Sequence, residues 1–182
     1  MENLNFGFVV LCPEHNISCL KSTVRHMKNR SKNASIIAVT DDSVKKDQLK
    51  EMETICPVYV GGKTITSLIN KGMEKGHDEW NIFVVAGAFI PYGIKRKYSL
   101  FCENEKDILF PLAFEKNRNG RIQNMNSDFI NATLNGLMIH KDTFKKIGSF
   151  SNNPLCYSKM IWADQAIEQK CKFKAILGIR IC

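Results

Sequence analysis

No apolar run in this 182-residue chain approaches the roughly 20 residues that a bilayer-crossing helix needs. The opening stretch, MENLNFGFVVLCPEHN, has no basic segment ahead of its apolar run. It therefore reads as a first strand rather than a secretory signal. Without an export signal, the Asn-x-Ser/Thr triplets at Asn16, Asn29, Asn33 and Asn131 carry no meaning as glycosylation sites. Seven cysteines (Cys12, Cys19, Cys56, Cys102, Cys156, Cys171 and Cys182) form an odd set with no Cys-x-x-Cys pair. That argues against a structural zinc site and for a reducing compartment, the cytoplasm. A Gly-x-Gly-x-x-Gly turn after the first strand, a Walker-type loop and a Gly-x-Ser-x-Gly elbow are all missing. Their absence sets aside a dinucleotide-binding Rossmann domain, a P-loop NTPase and an α/β-hydrolase. There is no internal repeat, low-complexity tract or linker, so a single domain over 1–182 is expected.

What is present is an ordinary globular balance, 44% hydrophobic and 24% charged, with a formal net charge of +8. The positive charge would suit a phosphate-bearing substrate, an anionic membrane surface or nucleic acid. The basic residues are scattered, however, in short groups such as Lys28-Arg30-Lys32, Lys95-Arg96-Lys97, Arg118-Arg121 and Lys170-Lys172-Lys174. No helix carries a continuous basic stripe interleaved with aromatics, so nucleic acid is not the expected partner.

Short buried runs alternate with helical patterns through the first half. Strands are expected at Phe6 to Leu11, Ser35 to Val39, Pro57 to Val60 and Asn81 to Val85. Between them fall a helix capped by Asn16 and carrying Ile17, Leu20, Val24 and Met27, and a polar helix from Val44 to Glu53 capped by Asp42 or Ser43. A third helix opens at Thr64 and closes at Gly76. Strand–helix alternation at these intervals predicts an α/β three-layer, Rossmann-like domain with a mostly parallel sheet. The second half is expected to hold a loop or broken helix over Tyr92 to Asp107 and a strand from Ile108 to Phe114. A mobile loop from Lys116 to Asp128 and a strand from Thr133 to Ile139 follow, then a helix from Lys141 to Ile147. A last helix starts at Trp162-Ala163-Asp164, and a last strand spans Ala175 to Ile181.

Several stretches, in order, resemble family 2 glycosyltransferases of the A-type nucleotide-sugar fold. FVVLCPEHN matches the family's first strand and turn, and AVTDDS the end of its second strand. GGKTITSLINKG followed by VVAGAFIP is similar to the segment that runs into the metal motif. LNGLMIHKDTFKKIGSF is similar to the family's later Gly–apolar–basic stretch ending in Ile-Gly-Gly-Phe. The resemblance implies a nucleotide-binding half, 1–91, and an acceptor-side half, 92–182.

The resemblance also implies a site. Asp41 and Asp42, with Pro13 and Glu14, would receive the base and ribose, although on sequence alone Asp41 and Asp42 equally suit a turn and helix cap. Asp164 lies where inverting members keep a catalytic base, and its other reading is a helix N-cap. The family's metal-binding Asp-x-Asp is Ala86-Gly87-Ala88 here, and alanine supplies no oxygen ligand for Mg²⁺ or Mn²⁺. No metal cofactor is therefore expected. Charge on a departing diphosphate would fall to basic side chains, with Lys95, Arg96, Lys97, Arg118 and Arg121 as candidates. His140, in the family's basic position, reads as a structural contact. The chain ends at the last strand without the acceptor region of longer members, which points to dependence on a protein partner or a second copy.

Two functional readings follow. In the first, the chain binds a nucleotide-diphosphate sugar and transfers the sugar to an acceptor hydroxyl without a metal. In the second, it is a non-catalytic structural or adaptor protein, for instance a component of a viral particle, that kept the fold.

Overall fold

The computed structural model describes residues 4–31, 33–111, 113–116, 122–126, 129, 134–151 and 153–176. The core begins with β1 (Phe6–Cys12), buried at all seven positions, because it is sandwiched between helices on both faces. Helix α1 (Ile17–Arg30) starts where the sequence places it: Asn16 Oδ1 accepts from the Cys19 amide at 3.0 Å, and Leu20, Val24 and Met27 are buried. Strand β2 (Ile36–Thr40) pairs parallel with β1. The polar α2 (Lys46–Glu53) is capped at Lys45, not at Asp42 or Ser43. Those two are drawn into a turn instead, since the Ser43 amide donates to Asp41 Oδ1 at 2.8 Å.

Strand β3 (Val58–Val60) adds to the edge of β2, and α3 (Ile65–Lys75) follows with Thr64 as N-cap and Gly76 as C-cap. Gly72 is needed in α3 because the helix presses on the sheet. A Cβ there would stand 2.5 Å from Val9 Cγ1 and 3.1 Å from Phe83 Cε1. Strand β4 (Trp80–Val85) then returns parallel to β1 on the side opposite β2.

The second half departs from several expectations. Tyr92 to Asp107 contains a regular helix, α4 (Ile94–Phe101), held by buried Ile94 and Tyr98. The strand expected over Ile108 to Phe114 is divided into β5 (Asp107–Pro111) and β6 (Ala113–Lys116). β6 pairs antiparallel with β7 (Ile122–Asn126), so the described residues of the stretch expected as a loop are strand. Strand β8 (Met138–His140) is shorter than expected and runs antiparallel between β4 and β5. Helix α5 (Lys141–Ile147) holds the expected bounds, with Phe144 and Ile147 buried.

The last helix, α6 (Leu155–Glu168), begins well before Trp162-Ala163-Asp164. Trp162 is 1% exposed, stacks on Phe150 at 4.6 Å and donates from Nε1 to Gly148 O at 2.8 Å. It is thus the middle of a packed helix rather than its start. Strand β9 (Lys172–Ile176) closes the sheet parallel to β5; the remainder of the expected last strand lies outside the described residues.

The seven-stranded sheet runs β3-β2-β1-β4-β8-β5-β9 and is mostly parallel, with β8 the antiparallel member. Helices α1, α2 and α4 bury one face, and α3, α5 and α6 the other. The molecule is a three-layer α/β domain, broadly compatible with the Rossmann-like class. Among the described residues no helix is long and apolar enough to cross a membrane.

Candidate functional site

In an open sheet of this kind, loops at the carboxyl ends of the strands meet in a crevice where the strand order reverses. Here the chain steps from β1 to β2 and β3 on one side, then crosses back to place β4 on the other. The crevice therefore opens above β1 and β4, with the end of β2 beside it. Cys12 to Asn16, Thr40 to Ser43 and Ala86 to Ala88 are the segments at that edge that would form its walls and floor.

Pro13 and Glu14 lie in the first of these loops, Glu14 exposed; Asp41 and Asp42 lie in the second. The two loops lie side by side at the carboxyl ends of the paired strands β1 and β2. His15, in the first of these loops, joins them. His15 Nδ1 is 2.8 Å from Thr40 Oγ1, which itself donates to Cys12 O at 3.0 Å. Nε2 is 2.8 Å from Ser43 Oγ and 3.2 Å from Asp41 Oδ1. The ring therefore ties the loop after β1 to the loop after β2. These contacts hold the His15 backbone at φ 51°, in the left-handed region that non-glycine residues enter at a cost. The signal for His15 was available: it sits three residues past a buried strand, level with Thr40-Asp41.

Asp41 is 8% exposed. Burial works against its charge, but hydrogen bonds from Ser43 Oγ (2.6 Å) and Ser43 N outweigh that. With His15 and Lys63 nearby, they hold its carboxyl below the usual aspartate value. Cys12, the last residue of β1, is the reverse case: burial pushes its thiol up to about 11, so it acts as a core residue and not as a nucleophile.

The floor is a knitted turn. The Ala86 amide extends the ladder to Leu11 O at 2.8 Å, and the Ala88 amide closes on Val85 O at 3.0 Å. The Gly87 amide donates to Thr23 Oγ1 at 2.9 Å, and that hydroxyl donates to Ala88 O at 3.2 Å. Gly87 takes φ 100°, which favours glycine, and a Cβ there would meet Cys19 Sγ at 3.5 Å. Ala88 is 6% exposed and packs into the core shared by α1 and α4. Ala86 is half-buried.

Other expected site residues lie elsewhere. After Ala88 the chain turns down along α1, pinned by Arg30, whose guanidinium donates to Ile90 O and lies 4.0 Å over the Tyr92 ring. Helix α4 therefore starts at the amino ends of the strands: Lys95 Nζ sits 5.5 Å above the ring of Phe6, the first residue of β1. Lys95 and its neighbour Arg96 are thus at the opposite edge from Ala86 and Ala88, which corrects their expected place beside a diphosphate. Arg118 and Arg121 lie outside the described residues.

Asp164 is exposed and sits in the carboxyl-terminal half of α6. That helix hands the chain to Lys172, which bonds Lys106 O at the start of β5. Asp164 is thus nearer the amino edge than the crevice, and it is not a helix cap. His140 caps α5, accepting from the Asp142 amide at 3.2 Å and packing on Trp80, the structural role expected of it.

A groove of about 650 Å³ runs between α3 and α5 on the other helical layer, starting at Gly61-Gly62. Its lining charges are already engaged: Lys71 pairs with Glu74 at 2.9 Å and Lys141 donates to Gly76 O at 2.7 Å. It is separate from the β1/β4 crevice. Among the described residues no cluster of three or more His, Cys, Asp or Glu side chains could hold a metal ion. No family model matches the chain, and a search of curated proteins finds no match.

Proposed function

We propose that the chain is a glycosyltransferase-like protein whose β1/β4 crevice binds a nucleotide-diphosphate sugar without a metal ion. The observation that carries this reading is that the loops holding Pro13, Glu14, Asp41 and Asp42 share the carboxyl edge of the sheet with the Ala86-Gly87-Ala88 turn, at the reversal of strand order. Asp41, ordered by Ser43 and His15, keeps a carboxylate at the end of β2, suited to accepting hydrogen bonds from a base or ribose. Lys63, on the loop after β3, adds a positive charge near Asp41.

The second reading, a non-catalytic structural or adaptor protein, is favoured by two specific observations. The turn at Ala86 to Ala88 is closed by its own hydrogen bonds and buried packing. Asp164 is exposed on a helix away from the crevice. Binding is therefore the firmer half of the proposal, and sugar transfer the half that the second reading removes.

Thermal unfolding with UDP, GDP and their sugars tests both. A ligand at 100 times its Kd adds about 2.7 kcal/mol, a rise of roughly 5–10 °C for a domain of this size. The first reading expects such a rise for one nucleotide, unchanged by EDTA. No rise at millimolar concentration with any of them leaves the adaptor reading standing. A rise abolished by EDTA contradicts the metal-free site.

A further inference from the structure

Two basic groups that are far apart in sequence meet at the amino edge of the sheet. Arg30 ends α1, and Lys95, Arg96 and Lys97 open α4, which the return of the chain along α1 delivers to the same place. Between them is a hollow of about 250 Å³ lined by Asn5, Phe6, Arg30, Ser31, Asn33 and Lys95. Among the described residues no acid lines it, and its polar side chains can all donate hydrogen bonds. Asp78, an acid on this edge, is held over Gly7 and accepts from Ser35 Oγ. Beside the hollow stands Tyr92, 76% exposed, with the Arg30 guanidinium on one face of its ring and the rest open to solvent.

We propose that this edge binds single-stranded nucleic acid. A donor-lined hollow between an arginine and a lysine fits a backbone phosphate. An exposed aromatic ring next to it offers a stacking platform for a base, the pairing of features that single-strand binding uses. A bilayer would ask for a flat or convex face with apolar side chains foremost, whereas here the cations surround a concavity. The site is at the edge opposite the β1/β4 crevice and is independent of what the crevice binds.

Fluorescence anisotropy of a labelled twelve-nucleotide oligouridylate, read between 50 and 200 mM salt, tests the proposal. With three or four phosphates neutralised, log K should fall against log salt with a slope of roughly −2 to −3. The double variant Lys95→Glu/Arg96→Glu should weaken binding at least tenfold. Tyr92→Ala should weaken it about five- to a hundredfold, through loss of stacking rather than charge. All three residues are exposed, and circular dichroism would verify that the variants fold. As a control, Lys46→Glu/Lys50→Glu on α2 should change affinity less than twofold. An equal loss in that control would mean diffuse attraction to a basic protein and overturn the site. Capture of phosphatidylserine vesicles with no anisotropy change on RNA would overturn it as well, in favour of a membrane.

Discussion

At the residue scale, the behaviour of the crevice depends on how Asp41 is held. Its carboxyl accepts from the amide and hydroxyl of Ser43 and lies 3.2 Å from His15 Nε2. Its folded value is below the ordinary one, so the unfolded chain takes up the proton first as pH falls. The stabilisation is thus complete above the ordinary aspartate range and is lost as pH drops below about 4. Asp41→Ala should cost about 1–3 kcal/mol in urea unfolding at pH 7, and the gap from wild type should narrow by pH 3. A pH-independent gap would mean that the charge is not what matters. The alanines of the floor make a second case. Ala88 is 6% exposed and its side chain lies in the core, so placing an aspartate there buries a charge with no partner. Ala86→Asp/Ala88→Asp should lose several kcal/mol and gain no Mn²⁺ stabilisation. A melting point raised by Mn²⁺ would show that the turn can open into a metal site.

At the element scale, close helix–sheet contact sets the packing. Gly72→Ala improves helix propensity by about 1 kcal/mol. The new methyl, however, would be 2.5 Å from Val9 Cγ1 on a fully buried strand, and overpacking of that kind costs about 1–3 kcal/mol. Net destabilisation is expected, and a stabilised variant would show that α3 can lift off the sheet freely. The same elements explain what could be read in advance. The strands β1 to β4 and helices α1 and α3 were legible because each carries its own signal: a short β-branched run, or helical spacing with Asn16 or Thr64 as cap. In the second half α5 was legible in the same way, but most bounds were not, because those elements owe their form to partners distant in sequence. The short β8 is a strand because β4 and β5 flank it. Helix α6 mixes buried Ser158 and Lys159 with exposed Tyr157 and Ile167, which hides its periodicity and moved its apparent start to Trp162.

At the scale of the whole molecule, the two edges of the sheet differ in character. The carboxyl edge gathers Glu14, Asp41 and Asp42 around the reversal of strand order, and the amino edge gathers Arg30 and the start of α4. Sequence proximity to VVAGAFIP suggested that Lys95 and Arg96 belonged with the floor. The turn at Gly87 and the descent along α1 carry them a full strand length away, which no local pattern encodes. The central claim is that the carboxyl edge is a nucleotide-sugar site. Isothermal titration of UDP- and GDP-sugars into the wild type, Asp41→Asn and Lys95→Glu/Arg96→Glu tests it most directly. One nucleotide sugar should bind the wild type and the amino-edge variant alike, and Asp41→Asn at least tenfold more weakly. Heat from none of them, or binding lost only when Lys95 and Arg96 are reversed, would contradict it.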